Sequence, residues 1–222
     1  MTTKKDTSVI NLPEIKIEQF TLNIIGDSPL IVHNWSQKAK LEMLNKQKKK
    51  AATAKEVRRP TVEFADTLYW LTPKPDFSGM TDEQAQEILA DIIPKSKFGF
   101  PVTSFKKAAL DAGFQQGALA AKAGTGDLAK TTARGAFYIQ NEFAVIEGTP
   151  TPREDMVRIG QGTDIRYRAE FKSWRTTLTI AYNPAPITAE QIINLIRLGG
   201  FSNGVGEWRP AKGGSFGTFH IE

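Results

Sequence analysis

The chain contains no cysteine and only two histidines among its 222 residues. Without thiols it can form neither disulfides nor cysteine–zinc sites, and two imidazoles leave little for a histidine-based metal centre. No metal and no other cofactor is expected. Paired-histidine and carboxylate-rich metal motifs are missing as well, which argues against a metal-dependent nuclease. Long apolar runs are also absent. Nothing approaches the roughly 18 residues of a membrane span, and the opening MTTKKDTSVINLPEIK has no apolar signal-peptide core. A cytoplasmic location without a membrane partner is the expectation.

What is present lies near globular averages, with 40% hydrophobic and 24% charged residues, and the length suits one large domain. Residues 1–14 are polar and read as a mobile tail, with a single domain over 15–222. The formal charge of +5 is unevenly spread. Residues 38–59 carry nine Lys/Arg against Glu42 and Glu56, a net +7, which leaves −2 for the rest of the chain. Ser36 to Arg59 reads as a long charged helix whose thin apolar stripe (Ala39, Met43, Leu44, Val57) suits a solvated or partner-docked element. As an arm along a phosphate backbone it would use Lys46, Lys48, Lys49, Lys50, Arg58 and Arg59, and its binding would weaken with salt as released counterions are restored.

The remaining elements follow from periodicity. Ile15 to Ile25 reads as a strand with an irregularity near Gln19, ended by Gly26-Asp27-Ser28-Pro29. His33, in a short apolar stretch before the charged helix, is a weak candidate for a catalytic base and otherwise a packed or capping histidine. Helices are expected over 60–71, over Thr81 to Ile93 and over 102–121. The turn at 95–101 offers Lys97 and Phe98 for a phosphate contact and stacking, although phenylalanines in such a turn more often fill the core. The stretch 122–135 reads as a mobile loop with Lys122, Lys130 and Arg134. Two hairpins are expected, 136–139 with 143–147 across Gln140-Asn141-Glu142, and Arg153–Ile159 with Asp164–Phe171. In the second, Arg166, Arg168 and Glu170 share a face near Arg158, either as a basic surface or as ion pairs with Glu154 or Glu170. A strand over Trp174 to Tyr182 follows.

The most informative stretch is the last, TAEQIINLIRLGGFSNGVGEWRPAKGGSFGTFHIE. Thr188 with Gln191 has capping-box spacing, and the helix it opens is expected to stop at Gly199-Gly200. The loop beyond holds Gly204, Gly206, Trp208, Arg209, Lys212, Gly213 and Gly214, and such glycines can turn N–H groups toward an anion. It follows a helix and opens a strand, the reverse of a P-loop or dinucleotide loop.

That order, with Gly204, Gly206, Arg209, Gly213, Gly214, Phe216 and Gly217, resembles the glycine-rich loop of the RAMP superfamily. These are the ferredoxin-like proteins that form CRISPR backbone and RNA-processing subunits. The chain also looks like uncharacterised tailed-bacteriophage proteins. The order of elements condenses to βαββαβ, an α+β, ferredoxin-like (RRM/RAMP-like) antiparallel sheet with a mainly helical insertion at about 27–100. The resemblance implies RNA held at the loop and subunits stacked side by side.

The leading expectation is therefore a single-stranded nucleic-acid (DNA or RNA) binding protein of phage type that coats the strand as a homo-oligomer. Charge would come from the lysine arm, Arg166, Arg168 and Arg209, and stacking from Trp208, Phe98 or Trp35. It is not expected to be an enzyme. The alternatives are a metal-independent ribonuclease using His33, and a phage inhibitor docking an acidic protein.

Overall fold

The computed structural model describes residues 14–35, 40–41, 43–44, 47–48, 57–121, 128–160 and 162–222. The expected tail, Lys46, Lys49 and Lys50 of the arm, and Lys122 lie outside these residues. The first strand, β1, runs Glu18–Gly26. It is followed by β2 (Leu30–Val32), α1 (Pro60–Thr67), β3 (Tyr69–Trp70), α2 (Asp82–Ile92), β4 (Phe98–Pro101), α3 (Val102–Gln115) and α4 (Lys130–Ala136). Then come β5 (Phe137–Ile139), β6 (Phe143–Ile146), β7 (Pro150–Ile159), β8 (Gly162–Phe171), β9 (Arg175–Tyr182), α5 (Ala189–Ser202) and β10 (Phe219–Ile221).

The central sheet has the order β10-β1-β9-β5, and its neighbouring pairs are antiparallel. Counting only these four strands, the order is fourth, first, third, second. With α3 before the second and α5 before the fourth, this is the ferredoxin-like βαββαβ arrangement. Alternation decides the faces. Phe20, Leu22 and Ile24 of β1 lie opposite Ile180, Leu178 and Thr176 of β9. This face meets the helices in one core that includes Phe105, Phe137 and Phe219. The other face presents Gln19, Thr21 and Asn23 opposite Ala181, Thr179 and Thr177.

β1 pairs without interruption from Glu18 to Ile25, so the irregularity expected near Gln19 is not there. Ile15 and Ile17 precede the strand and are 70% and 54% exposed. Two smaller sheets, β2-β8-β7 and β3-β4-β6, are added to this core. The segment inserted after β1 contributes α1 and α2, as expected, and also β2, β3 and β4. α2 opens on a Thr81–Gln84 capping box.

Four readings are corrected by packing. The sequence 136–147 is not a hairpin, because β5 pairs with β9 and β6 with β4. The turn at Asn141, φ 67°, carries the chain from one sheet to another. The apolar run that extended the first inserted helix to residue 71 becomes β3, and the turn at 95–101 becomes β4. The fourth correction concerns α5, whose Thr188–Gln191 capping box is present but which does not stop at Gly199. Both glycines lie inside the helix, where a β-carbon on Gly199 would stand 2.6 Å from Ala109 N of α3 and one on Gly200 2.2 Å from Phe219 O of β10. They let α5 press on α3 and on the last strand.

Candidate functional site

The glycine loop does not form an anion nest. Its N–H groups go largely to nearby carbonyls: Glu207 to Ile31, Gly214 to Arg209, Phe216 to Trp208 and Gly217 to Pro29. Its glycines are sites of close approach. Gly206 has φ +80°, and a β-carbon there would lie 2.5 Å from Ile31 O; at Gly214 the neighbour is Trp208 O at 1.8 Å. Gly204 is buried, whereas Gly213 is exposed in a left-handed turn. The loop is thus folded onto β2 and onto itself. It holds Trp208 in the left-handed region at φ 51° with the indole 41% exposed. A non-glycine residue in that region costs on the order of 1–3 kcal/mol and persists only where its surroundings fix it. Arg209 donates to Gly206 O at 2.7 Å, and Lys212 is exposed.

The β7–β8 ribbon meets this loop, as the reading of a sheet face beside it anticipates. Arg153 lies opposite Arg168, and Asp155 opposite Arg166, which puts all four on one face. Arg153 stands over the Phe216 ring at 4.7 Å and Arg168 over Trp208 at 5.9 Å. The face is not a bare basic surface. Asp155 accepts from Arg153 at 2.9 Å and from Arg168 at 3.0 Å, Glu170 accepts from Arg153 at 2.8 Å, and Asp164 pairs with Arg166 at 3.2 Å. Three arginines thus face three carboxylates. Ion pairing is the better description of Arg166 and Arg168, but through Asp164 and Asp155 and not the expected Glu154 or Glu170. Arg158, nearer the ribbon tip, is exposed.

Several other candidates have structural work. Arg58 pairs with Glu63 at 2.6 Å and Asp164 at 3.0 Å, and Arg59 donates to the carbonyls of Phe77 and Met80 at 3.0 and 3.1 Å. Lys130 is not in a loop but begins α4, pairing with Asp111 at 2.7 Å and lying over the Phe114 ring. Arg134, in the same helix, and Lys97, before β4, are exposed, as is Lys48. Phe98 is 2% exposed within the core, which removes it as a stacking platform, whereas Trp35 is exposed.

Beside the loop is a cleft of about 190 Å³ lined by His33, Tyr69, Phe100, Ser104, Lys107, Asp111, Glu207 and Arg209 among others. Burial, and then the charge of Arg168, lower the His33 pKa from its ordinary value, so the ring is neutral at neutral pH. Burial, and then Glu207, raise that of Tyr69. Among the described residues, His33 Nδ1 and Arg168 Nε are buried without a hydrogen-bond partner. Tyr69, Ser104 and Glu207 were not anticipated. Tyr69 falls within the helix expected over 60–71, although the unbroken run Leu68-Tyr69-Trp70-Leu71 fits a short strand better. Glu207 was hidden by the basic residues around it.

Among the solved structures similar to this chain are two that match over most of its length. One is Cmr6 from Pyrococcus furiosus, 10% identical, with a TM-score of 0.36, covering 94% of this chain and 100% of that one. The other is a chain of a CRISPR RNA-guided surveillance complex, 10% identical, with a TM-score of 0.34, covering 91% of this chain and 67% of that one. No family model and no curated protein matches the sequence. At these scores the strand order, not the likeness, is the ground for the fold. No helix among the described residues is long and apolar enough to cross a membrane.

Proposed function

We propose that the protein binds single-stranded nucleic acid over the surface formed by Trp208, Arg209, Lys212 and the adjoining β7–β8 ribbon. Trp208 carries this reading. It is a solvent-facing indole held at a positive φ by a loop packed around it, with a guanidinium on the ring. A base can stack on such a platform without regard to its identity, for about 1–3 kcal/mol. The neighbouring cations can take the phosphates, Lys212 most freely. The open face of the central sheet, rich in threonine and with Tyr138 exposed on it, is a poorer platform. Side-by-side coating by a homo-oligomer and a phage origin rest on the sequence resemblance alone.

The test is fluorescence anisotropy of labelled single-stranded DNA, single-stranded RNA and duplex across a salt series. Salt-steep binding that prefers a single strand is expected. Absence of binding at low salt overturns the reading.

A second reading, a metal-independent ribonuclease, is favoured by one observation. A neutral His33 at the cleft can accept the proton of a 2′-hydroxyl. Cleavage of single-stranded RNA leaving a 2′,3′-cyclic phosphate, abolished in His33→Ala, would establish it.

A further inference from the structure

Trp208 gives a strand binder no sequence preference, but the cleft beside it has different chemistry. Its aromatic wall is Tyr69 with Phe100, whose rings meet edge to face at 6.0 Å. Besides Tyr69, Ser104, His33 and Glu207, its polar lining includes Asn203, the Lys107–Asp111 pair and Arg209, whose guanidinium donates to Gly206 O at 2.7 Å. Glu207 has no cation partner among the described residues, while Lys107, also on the cleft, is engaged by Asp111 at 2.8 Å. An unpaired carboxylate repels phosphate, so the Glu207 side of the cleft suits a base better than the strand's backbone. Its volume is below the roughly 300–1,000 Å³ of pockets that enclose drug-sized ligands, the scale of one planar base. A carboxylate offers two acceptor oxygens side by side. Among the four bases only guanine presents two adjacent N–H donors, N1–H and N2–H, on its pairing edge; adenine and uracil alternate donor and acceptor there, and cytosine sets one donor beside two acceptors.

We propose that the cleft is a single-base pocket selective for guanine, with Glu207 accepting both pairing-edge donors against the Tyr69–Phe100 wall. The hydroxyls of Tyr69 and Ser104 supply donors of the kind that O6 and N7 require. The pocket rests on the strand-binding reading only in how the base arrives, and it makes the protein a strand binder that prefers one base at one position.

The experiment has two arms, both with the full chain. In the first, anisotropy compares an oligouridine with the same oligomer carrying one central guanine, adenine, cytosine or inosine. Guanine should tighten binding at least about fivefold, the low end for a bidentate base contact. Inosine, which lacks the N2 amino group, should lose most of that gain. Glu207→Gln, whose amide places a donor against a donor, should abolish it, while oligouridine binding persists or tightens as the repelling charge is lost. In the second arm, saturation-transfer NMR compares free guanosine, adenosine, cytidine and uridine, and should favour guanosine in the wild type and not in Glu207→Gln. Strand binding without a guanine preference overturns the pocket and leaves the strand-binding reading standing. Guanosine selectivity without strand binding sustains the pocket and sinks that reading. Neither result in either arm overturns both.

Discussion

A β-carbon placed on Gly214 would stand 1.8 Å from the carbonyl oxygen of Trp208. The two backbones are therefore as close as glycine allows, and Trp208 keeps its left-handed conformation because the returning strand of the loop closes over it. Gly214→Ala should open the loop, at about 1–3 kcal/mol for overpacking. Strand affinity should fall with it. Near-ultraviolet circular dichroism, which reports on the tryptophans, and anisotropy measured on the same sample check both effects.

The two glycines within α5 lead to a paired prediction. Alanine is normally better than glycine in a helix by about 1 kcal/mol. At Gly199 and Gly200 that preference should be outweighed, because the new methyl meets the backbone of α3 or β10 at 2.6 or 2.2 Å. Each alanine variant should lose about 1–3 kcal/mol. Gly135, in α4, has nothing within 4 Å of its would-be β-carbon, so Gly135→Ala should stabilise by about 0.5–1 kcal/mol. Urea denaturation of the three variants gives opposite signs if the reading is right.

These glycines also show why some of the molecule was legible in the sequence and some was not. The capping boxes at Thr81 and Thr188 and the alternation along β8 are local, and each settles its own element. Whether a glycine ends a helix, cradles an anion or admits a neighbour depends on what lies across from it. For Gly206 that is Ile31, from the other end of the chain. The pairing of β5 with β9 and not with β6 is likewise decided by the completed sheet, because the turn residues at 140–142 suit either course. The basic face of the ribbon was legible as a row of arginines. Its neutralisation was not, because Asp155 becomes a partner only once β7 and β8 pair.

Asp155 is 9% exposed and accepts from two guanidiniums, so Asp155→Ala leaves Arg168 without its carboxylate in a buried position. Breaking a buried pair costs roughly 3–5 kcal/mol. Arg153 keeps Glu170, and its side chain is 28% exposed, so the loss should fall at the lower end of that range. A thermal melt measures it.

Acid should destabilise the protein through His33. Its folded pKa is lowered from 6.5, by burial first and then by Arg168. As pH falls below about 6.5 the unfolded chain takes up a proton that the folded site refuses, so stability drops. The loss levels off once pH is below the folded value. His33→Gln should flatten this part of the stability profile between pH 7.5 and 5. If the wild-type and variant profiles run parallel, His33 is not the group responsible.

Two kinds of basic and aromatic residue should separate cleanly in strand binding. Trp208→Ala should weaken binding by about 1–3 kcal/mol, the worth of one stacked base, with the salt dependence unchanged because no cation is lost. Lys212→Ala should do the opposite, reducing the slope of log affinity against log salt by about one phosphate's worth. Arg58→Ala and Arg59→Ala should leave that slope unaltered and lower stability instead, because one guanidinium is engaged by Glu63 and Asp164 and the other by the carbonyls of Phe77 and Met80. A reduced slope in the Arg58 or Arg59 variants would mean that these side chains leave their partners for phosphate, and would return the arm to the binding surface.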